Sequence, residues 1–285
     1  MKRFKRKKRY SIKILWLIII ILAIYLVLNN VKELDIDNSK FVSYLLNNTN
    51  QYIDNEYNIK DIFFESLFEL DPKYVIDKPV SLKVDFNLLE SPRVYIYNTH
   101  DSEKYIENDK GVYDASFIIK EKLDDIGIPT LVELSRVSEY IRSNKMDYNL
   151  SYTVSRNYIE SILNTYPDIE LVIDLHRDAV DRDYSYKEID GKSYAKIMFV
   201  QGIRYSTFKH NMELAQSISD EIEKNYPGVS KGIMTKPVSI FNQDLNQNAI
   251  LIELGSNNNT WEEVNNSIDV LVMAIKKVLN EKEIS

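Results

Sequence analysis

The feature that most constrains the fold is a regular alternation of strand-like and helix-like segments that begins at Arg93. Short runs rich in β-branched and aromatic residues predict strands, and the stretches between them carry apolar residues at helical spacing. The predicted strands are VYIYNTH, TLVEL, LVIDLH, AKIMFVQG, GIMTK and AILIELG. Strands that alternate with helices favour an α/β fold, with a mostly parallel central sheet and helices on both faces.

The segments between these strands predict four helices. They cover residues 111–127, 148–166, 207–226 and 261–279, and Gly127 and Pro167 are typical of helix ends. Residues 31–91 are instead rich in Asn, Asp and Glu and are interrupted by Pro72. We interpret residues 31–91 as a spacer and residues 92–285 as the folded domain that carries the function.

The N-terminus combines a basic segment with an uncharged apolar one. Residues 1–13 contain eight Lys or Arg and no acid, and residues 14–30 (ILWLIIIILAIYLVLNN) carry no charge. As a helix, about 17 residues rise roughly 26 Å, which spans a bilayer core with help from the flanks. We predict a single transmembrane helix at 14–30, a cytoplasmic basic tail and an extracytoplasmic remainder. A cleaved signal peptide is the alternative, although no small-residue cleavage pattern follows the run.

The charge and the absence of cysteine exclude several classes of function. The net charge of −7 leaves −15 for the chain beyond the basic tail, where 28 basic residues face 43 acidic ones. An acidic body repels phosphate, so we predict no nucleic-acid partner. A chain without Cys has no disulfide, no thiolate zinc ligand and no Cys nucleophile.

Reactive side chains stand at or near the ends of three predicted strands. VYIYNTH ends in His100, LVIDLH ends in His176, and Glu253 lies near the end of AILIELG. Ligands of open α/β sheets bind beyond the carboxyl ends of the strands. Two imidazoles and a carboxylate at one edge can bind a divalent metal and activate its water. Taken singly, each His could instead be a structural residue at a strand end.

The spacing around His100 predicts a third ligand. Glu103 follows His100 by three residues, and an HxxE step on a turn can bring both side chains to one ion. With His176 these residues form the His₂Glu set of zinc peptidases, so we predict Zn²⁺ at His100, Glu103 and His176. His210, in FKHNMELA, is predicted to lie on a solvated helix face.

Glu253 is the candidate general base or acid because a buried carboxylate needs a partner or a raised pKa. An ion pair with Arg177 is the structural alternative. Arg177 could also hold a substrate carboxylate or stabilise an oxyanion. Asp174 and Asp178 are candidate partners of the His ligands.

Several stretches together resemble the stage II sporulation protein P family. They are VYIYNTHDSEKY, IDLHRD and FNQDLNQNAILIELGSNNNTWEE, preceded by a basic tail and an apolar run. The resemblance implies a membrane-anchored zinc N-acetylmuramoyl-L-alanine amidase that hydrolyses peptidoglycan in sporulation, with endopeptidase activity on cross-links. It places metal at His100 and His176 and the catalytic carboxylate at Glu253. Related amidases have an acidic ligand near the start of the next helix, so Asp114 is the alternative to Glu103.

The resemblance also implies partners and leaves rival functions open. It implies work during engulfment with a transglycosylase, stage II sporulation protein D, and a polytopic membrane protein, stage II sporulation protein M. Arg177, or backbone amides near residues 242–244, would bind anionic stem-peptide groups. A cell-wall metallopeptidase and a non-catalytic peptidoglycan-binding scaffold are the rivals. The chain has LIELGSNNN where the family usually has a glycine pair, so residues 257–259 are expected to adopt turn or left-handed conformations.

Overall fold

The structure is a computed structural model that describes residues 92–106 and 109–282. The strands are β1 (Val94–Tyr97), β2 (Thr130–Val132), β3 (Leu171–Asp178), β4 (Tyr186–Ile189), β5 (Lys192–Ala195), β6 (Ile197–Gly202), β7 (Ser230–Lys236) and β8 (Ala249–Ser256). The helices are α1 (Val112–Asp125), α2 (Val137–Ser143), α3 (Ser151–Thr165), α4 (Arg182–Ser185), α5 (Phe208–Asn225) and α6 (Trp261–Lys282). Short 3₁₀ helices cover Tyr148–Leu150 and Gln243–Leu245.

The predicted N-terminal segments lie outside the described residues. These are the basic tail at 1–13, the transmembrane helix at 14–30 and the spacer at 31–91. Within the described part of the chain, no helix combines the length and the apolar character needed to cross a membrane.

The central sheet is mostly parallel, as predicted, but it is mixed because one of its strand pairings is antiparallel. Its strand order is β2-β1-β3-β8-β6-β7, with β2, β1, β3 and β8 parallel to one another. β6 pairs antiparallel with β8, and β7 is parallel to β6. The protein is α/β, as the sequence predicts, and the strands that carry the predicted site residues are parallel to one another. β6 and β7 run in the opposite direction.

A β-hairpin that the sequence analysis missed explains the direction of β6. A parallel neighbour needs a crossover, usually a helix, that returns the chain to the starting edge of the sheet. Between β3 and β6 the chain instead forms the β4–β5 hairpin, so β6 enters from the edge where β3 ends. The hairpin turn is Asp190-Gly191, both with positive φ, which is a recognisable two-residue turn signal.

The two faces of the sheet differ because successive side chains of a strand point to opposite sides. One face, called here the apolar face, carries Ile96, Ile173 and Ile252, which belong to one core cluster with residues of α1, α5 and α6. The other, called here the site face, is packed by α3 and carries Tyr95, Tyr97, Asp174, His176, Leu251 and Glu253. Helices thus cover both faces, as predicted.

Side-chain caps set the limits of two helices near the sheet edge. The side chain of Asp114 accepts a hydrogen bond from the N–H of Gly111 (2.8 Å) where α1 begins. Thr260 and Glu263 form a reciprocal capping box before α6: the N–H of Thr260 donates to Glu263, and the N–H of Glu263 donates to the Thr260 hydroxyl. The predicted helix at 148–166 divides into the 3₁₀ turn at Tyr148–Leu150 followed by α3.

Candidate active site

The turn after β1 is fixed to β3 by hydrogen bonds, and this places His100 at the sheet edge. The amide of Asn98 donates to the carbonyl oxygen of Leu175 (2.7 Å). The N–H and hydroxyl of Thr99 donate to the two carboxylate oxygens of Asp174 (2.9 and 2.7 Å). β1 therefore ends at Tyr97, and residues 98–100, predicted as strand, form a turn.

Asp101 anchors the same turn on its other side. Its carboxylate accepts hydrogen bonds from the guanidinium of Arg136 and from both the N–H and the hydroxyl of Ser138, each at 2.7 Å. These partners lie at the start of α2, a helix that the sequence analysis did not predict. Asp101 is only 2% exposed, so the residue that follows His100 is held firmly in place.

His176 lies between two carboxylates on the site face. Its Nε2 atom is 3.0 Å from Oδ1 of Asp174, although the alignment is not that of a hydrogen bond. Its Nδ1 atom is 3.6 Å from Oε2 of Glu103. Glu103 also accepts a hydrogen bond from the backbone N–H of Arg177 (3.0 Å). The predicted pair Glu103 and His176 is therefore brought together, with Asp174 behind the imidazole.

The charges at this centre shift two pKa values in opposite directions. Burial alone would lower the pKa of His176, but the nearby carboxylates of Asp174 and Glu103 outweigh burial and raise this pKa well above its usual value. Burial would raise the pKa of Glu103, yet contact with His176 and the N–H of Arg177 lower this pKa. The carboxylate and the imidazole thus stabilise each other's charged forms.

His100 lies beside His176 and is covered by two tyrosines. The two imidazole centroids are 5.2 Å apart. Tyr148 stacks on His100 at 4.9 Å with its hydroxyl 2.7 Å from Nδ1, and Tyr152 meets the same ring edge-on at 5.6 Å. Burial and the charge of His176 lower the pKa of His100 to about 4, and burial raises the pKa of Tyr148 to about 12. Neither tyrosine was predicted from the sequence, although both lie four residues apart in the predicted helix at 148–166 and so share one helix face there.

Glu253 is opposite His176 on the neighbouring strand. The two residues are Cα partners in the parallel ladder between β3 and β8. The Oε2 atom of Glu253 is buried and has no hydrogen-bond partner. Burial raises the pKa of this carboxyl to about 8, despite the opposing charge of His176. A buried carboxyl with a free oxygen beside an imidazole is suited to accept and return a proton.

Arg177 makes contacts other than the ion pair considered from the sequence. Its guanidinium donates to the carbonyl oxygens of Lys104 (3.1 Å) and Asp178 (3.3 Å). Among the described residues it forms no ion pair with Glu253. The side chain is therefore bound to backbone, and its predicted contact with substrate stays a prediction.

Two of the acidic candidates have partners away from the imidazoles. Asp114, the alternative to Glu103, lies 3.5 Å from the ammonium of Lys104 and caps α1 through Gly111. Asp178, considered as a partner of a His ligand, pairs with Lys231 at 3.3 Å. Of the acidic residues considered, Glu103 and Asp174 are the ones that contact His176.

The remaining candidates lie on helices or on the loop before β8. His210 is exposed on α5, as predicted. Asn242 donates to the Tyr152 carbonyl oxygen (2.9 Å) and the Ser155 hydroxyl (3.1 Å), and Asp244 pairs with Arg156 (2.9 Å). This loop is therefore fastened to α3.

The turn after Glu253 is built by side-chain hydrogen bonds rather than by left-handed Asn residues. Gly255 has a φ of 69°, but none of residues 257–259 has a positive φ, which corrects the left-handed alternative. Asn259 accepts from the N–H of Ser256 (2.8 Å) and donates to the carbonyl oxygen of Ser185 (3.1 Å). Asn258 donates to the carbonyl oxygen of Val180 (2.9 Å). The turn therefore holds the segment that follows His176.

The donor set is chemically suited to zinc, with one ligand pair at a fitting distance. Two ligands of a tetrahedral ion, each about 2.1 Å from it, lie about 3.4 Å apart. The distance of 3.6 Å between His176 Nδ1 and Glu103 Oε2 is close to this value. His100 adjoins the pair, but its Nδ1 contacts Tyr148. Across residues 92–106 and 109–282, no three His, Asp or Glu side chains are arranged so that they could hold an ion.

The fold and site define an α/β protein that gathers two imidazoles and two glutamates at the carboxyl edge of its parallel strands. A family model described as Stage II sporulation protein P (SpoIIP) matches residues 33–276. The chain belongs to this family.

A curated relative and several solved structures are similar to this chain. Stage II sporulation protein P of Bacillus subtilis (strain 168) is 30% identical over 188 residues, which cover 60% of this chain and 47% of the relative. The matched stretch thus spans about half the length of that relative.

Three solved amidases align over about two thirds of this chain. The CwlD amidase from Clostridioides difficile, in complex with the GerS lipoprotein, is 16% identical with a TM-score of 0.46, covering 66% of this chain and 98% of its own. An N-acetylmuramoyl-L-alanine amidase from Clostridium difficile 630 is 15% identical with a TM-score of 0.42, covering 68% and 100%. The amidase AmiC2 of Nostoc punctiforme is 12% identical with a TM-score of 0.41, covering 67% and 99%.

Proposed function

We propose that this protein is a membrane-anchored peptidoglycan hydrolase of sporulation that cleaves the amide between N-acetylmuramic acid and L-alanine. The observation that carries the proposal is the convergence of His100, Glu103, His176 and Glu253, from three separate segments, at one sheet edge. Membership in the stage II sporulation protein P family supports the substrate. Hydrolysis of peptide cross-links is a second reaction that the same residues could perform.

Glu103 and His176 are the pair placed to hold Zn²⁺, and His100, which adjoins them, is the proposed third ligand although the three side chains are not arranged around one point in this structure. Bound zinc supplies a Lewis acid that polarises a carbonyl and lowers the pKa of a bound water. Glu103 is preferred over Asp114 because its carboxylate contacts His176, whereas Asp114 caps a helix. Asp174 lies 3.0 Å behind the imidazole of His176, so it would fix the orientation of that ring.

Glu253 is the proposed general base and acid. In its ionised form, Glu253 accepts a proton on its free Oε2 from the attacking water and returns it to the nitrogen of the leaving amine. The amide carbon thereby becomes the lactyl carboxylate of the muramoyl sugar, and the stem peptide leaves with a free L-alanine N-terminus. Met198, the cross-strand partner of Glu253, clusters with Val200 and Leu251 and forms an apolar surface that keeps bulk water away from the carboxyl.

The family and the N-terminal sequence support a proposal about where this activity takes place and with which partners. We propose that residues 14–30 anchor the chain in the cell membrane, with the hydrolase domain outside the cytoplasm. A glycan-cleaving transglycosylase and a polytopic membrane protein of the engulfment machinery are the proposed partners. Arg177 remains the proposed contact for an anionic group of the stem peptide.

Mass spectrometry of the fragments released from purified peptidoglycan tests this proposal. The full chain, supplied with Zn²⁺, should release stem peptides with free L-alanine N-termini and leave glycan strands with free lactyl carboxylates. Fragments with new termini only within the peptides would identify a metallopeptidase instead. Tight binding to peptidoglycan without any released fragment would identify a non-catalytic scaffold.

A further inference from the structure

Tyr148 is an exposed aromatic ring that touches the candidate site. The described residues include four exposed large hydrophobic side chains, Ile106, Tyr148, Tyr184 and Met273. Of these, Tyr148 has a ring contact with a proposed metal ligand, since it stacks on His100 with an interplanar angle of 18°. Yet the residue is 52% exposed. The imidazole occupies one side of the ring, and more than half of the residue's surface is still open to solvent.

The ring is held in place rather than left to rotate freely. Its hydroxyl is 2.7 Å from Nδ1 of His100. The backbone around it forms the 3₁₀ turn at Tyr148–Leu150, which Asp147 caps by accepting from the N–H of Asn149 (2.9 Å). Because the hydroxyl is already engaged, what the side chain offers to a ligand is its flat apolar face. Tyrosine combines an apolar ring with a polar tip, and such side chains are enriched where proteins bind other molecules.

The contacts around Tyr148 indicate which part of a substrate lies there. Aromatic rings run from Tyr148 through His100 and Tyr152 to Phe241, and Phe241 packs on the buried cluster of Met198, Val200 and Leu251 beside Glu253. The Phe241 end of this row of rings is packed against the buried cluster, whereas the Tyr148 end is exposed to solvent. A long glycan strand must lie across an open surface, and a pyranose ring presents a face of C–H groups that suits an aromatic ring.

We propose that the open face of Tyr148 is a stacking platform for a sugar ring of the glycan strand. This inference rests on the proposed function and adds the residue that distinguishes a sugar-bearing substrate from a free peptide. It assigns Tyr148 a binding role, in addition to its contact with His100.

Binding measurements in the absence of cleavage test the platform. The full chain with Glu253→Gln is titrated by calorimetry with N-acetylmuramoyl-L-alanyl-D-isoglutamine and, separately, with the sugar-free L-alanyl-D-isoglutamine. Tyr148→Ala should weaken binding of the muramoyl ligand by about fivefold. It should leave the affinity for the sugar-free peptide unchanged. Tyr148→Phe, which keeps the ring and removes the hydroxyl, should retain the affinity for the muramoyl ligand.

Met273→Ala is the matched control, because it removes an equally exposed apolar side chain from α6 on the apolar face. Equal losses for both ligands in Tyr148→Ala would make the ring a peptide contact and overturn the proposal. Unchanged affinity in Tyr148→Ala, or no preference of the parent for the muramoyl ligand, would overturn it as well. Sugar binding at Tyr148 is measured without turnover. The binding proposal can therefore be upheld even if the protein cleaves a bond other than the muramoyl amide.

Discussion

The two faces of the central sheet are built from the same strands but have different roles: one forms the apolar core and the other carries the candidate site. In β3, Ile173 and Leu175 belong to the core on the apolar face, whereas Asp174 and His176 lie on the site face. In β8, Ile252 lies on the apolar face and Glu253 on the site face. The apolar face is covered by three helices, and the site face carries tyrosines and ionisable groups packed by α3.

This difference shows how the protein buries charged groups without losing its core. Strand alternation lets every second residue supply apolar burial, so the residues between them are free to be polar. Those polar residues are then bonded to each other: Thr99 to Asp174, Tyr95 to Glu133, and Arg177 to Glu103. A change on the apolar face should therefore affect stability, and a change on the site face should affect catalysis.

The largest expected effect is on the site face, at Glu253. Glu253→Gln keeps the shape of the side chain and removes its ability to carry a proton. We expect the rate of fragment release from purified peptidoglycan to fall by roughly 10³-fold. The thermal unfolding midpoint should hold or rise, because the change removes a buried ionisable group with no partner on one oxygen. Glu188→Gln, at an exposed position of β4, is the matched control. Cleavage at the wild-type rate would remove Glu253 from the reaction.

The second prediction separates the two candidates for the acidic ligand. Glu103→Gln should lower the affinity for Zn²⁺ by about 100-fold or more, because it replaces a charged ligand by a neutral one. Asp114→Asn should retain the metal, since the amide oxygen can still accept from the N–H of Gly111. Equilibrium dialysis followed by metal analysis measures both. The reverse pattern, with metal lost in Asp114→Asn and retained in Glu103→Gln, would assign the ligand to Asp114.

The third prediction concerns the apolar face. Ile252 is fully buried beneath the helices, and Ile252→Ala should reduce the free energy of unfolding by about 3 kcal/mol. Ile252→Val should cost about 1 kcal/mol. Denaturant titration measures both values, and the cleavage rate per folded molecule should stay near that of the wild type. A large fall in that rate at unchanged stability would mean that the two faces are not independent.

The sequence predicted the parts of this arrangement that depend on local pattern. Strands β1, β3 and β8, helices α1, α3 and α5, and the positions of His100, His176 and Glu253 near strand ends follow from periodicity and from apolar runs. The direction of β6 did not follow, because it depends on a hairpin whose two strands are short and mostly polar. Tyr148 and Asp101 were missed because their partners, His100 and Arg136, are 48 and 35 residues away in the chain. Such contacts arise only when the elements pack.

The smallest expected effect distinguishes two buried acids on the site face. Glu133, at the end of β2, resembles Glu253 in that burial raises its pKa. Unlike Glu253, both of its oxygens have partners: the hydroxyl of Tyr95 (2.8 Å) and the N–H of Ser135 (2.7 Å). We infer that Glu133 is structural.

A raised pKa in the folded state means that the native protein favours the protonated carboxyl of Glu133. This contribution to stability is complete below the unfolded-state pKa of about 4.3 and is lost as the pH rises through the higher folded-state value. The Gln side chain of Glu133→Gln does not titrate. The stability of this variant relative to wild type should therefore be greater at pH 7 than at pH 4. Denaturant titrations of both proteins at the two pH values measure this difference, and the cleavage rate should not change. An equal difference at both pH values would show that the carboxyl of Glu133 titrates normally, and lost cleavage would extend the chemistry of the site face to β2.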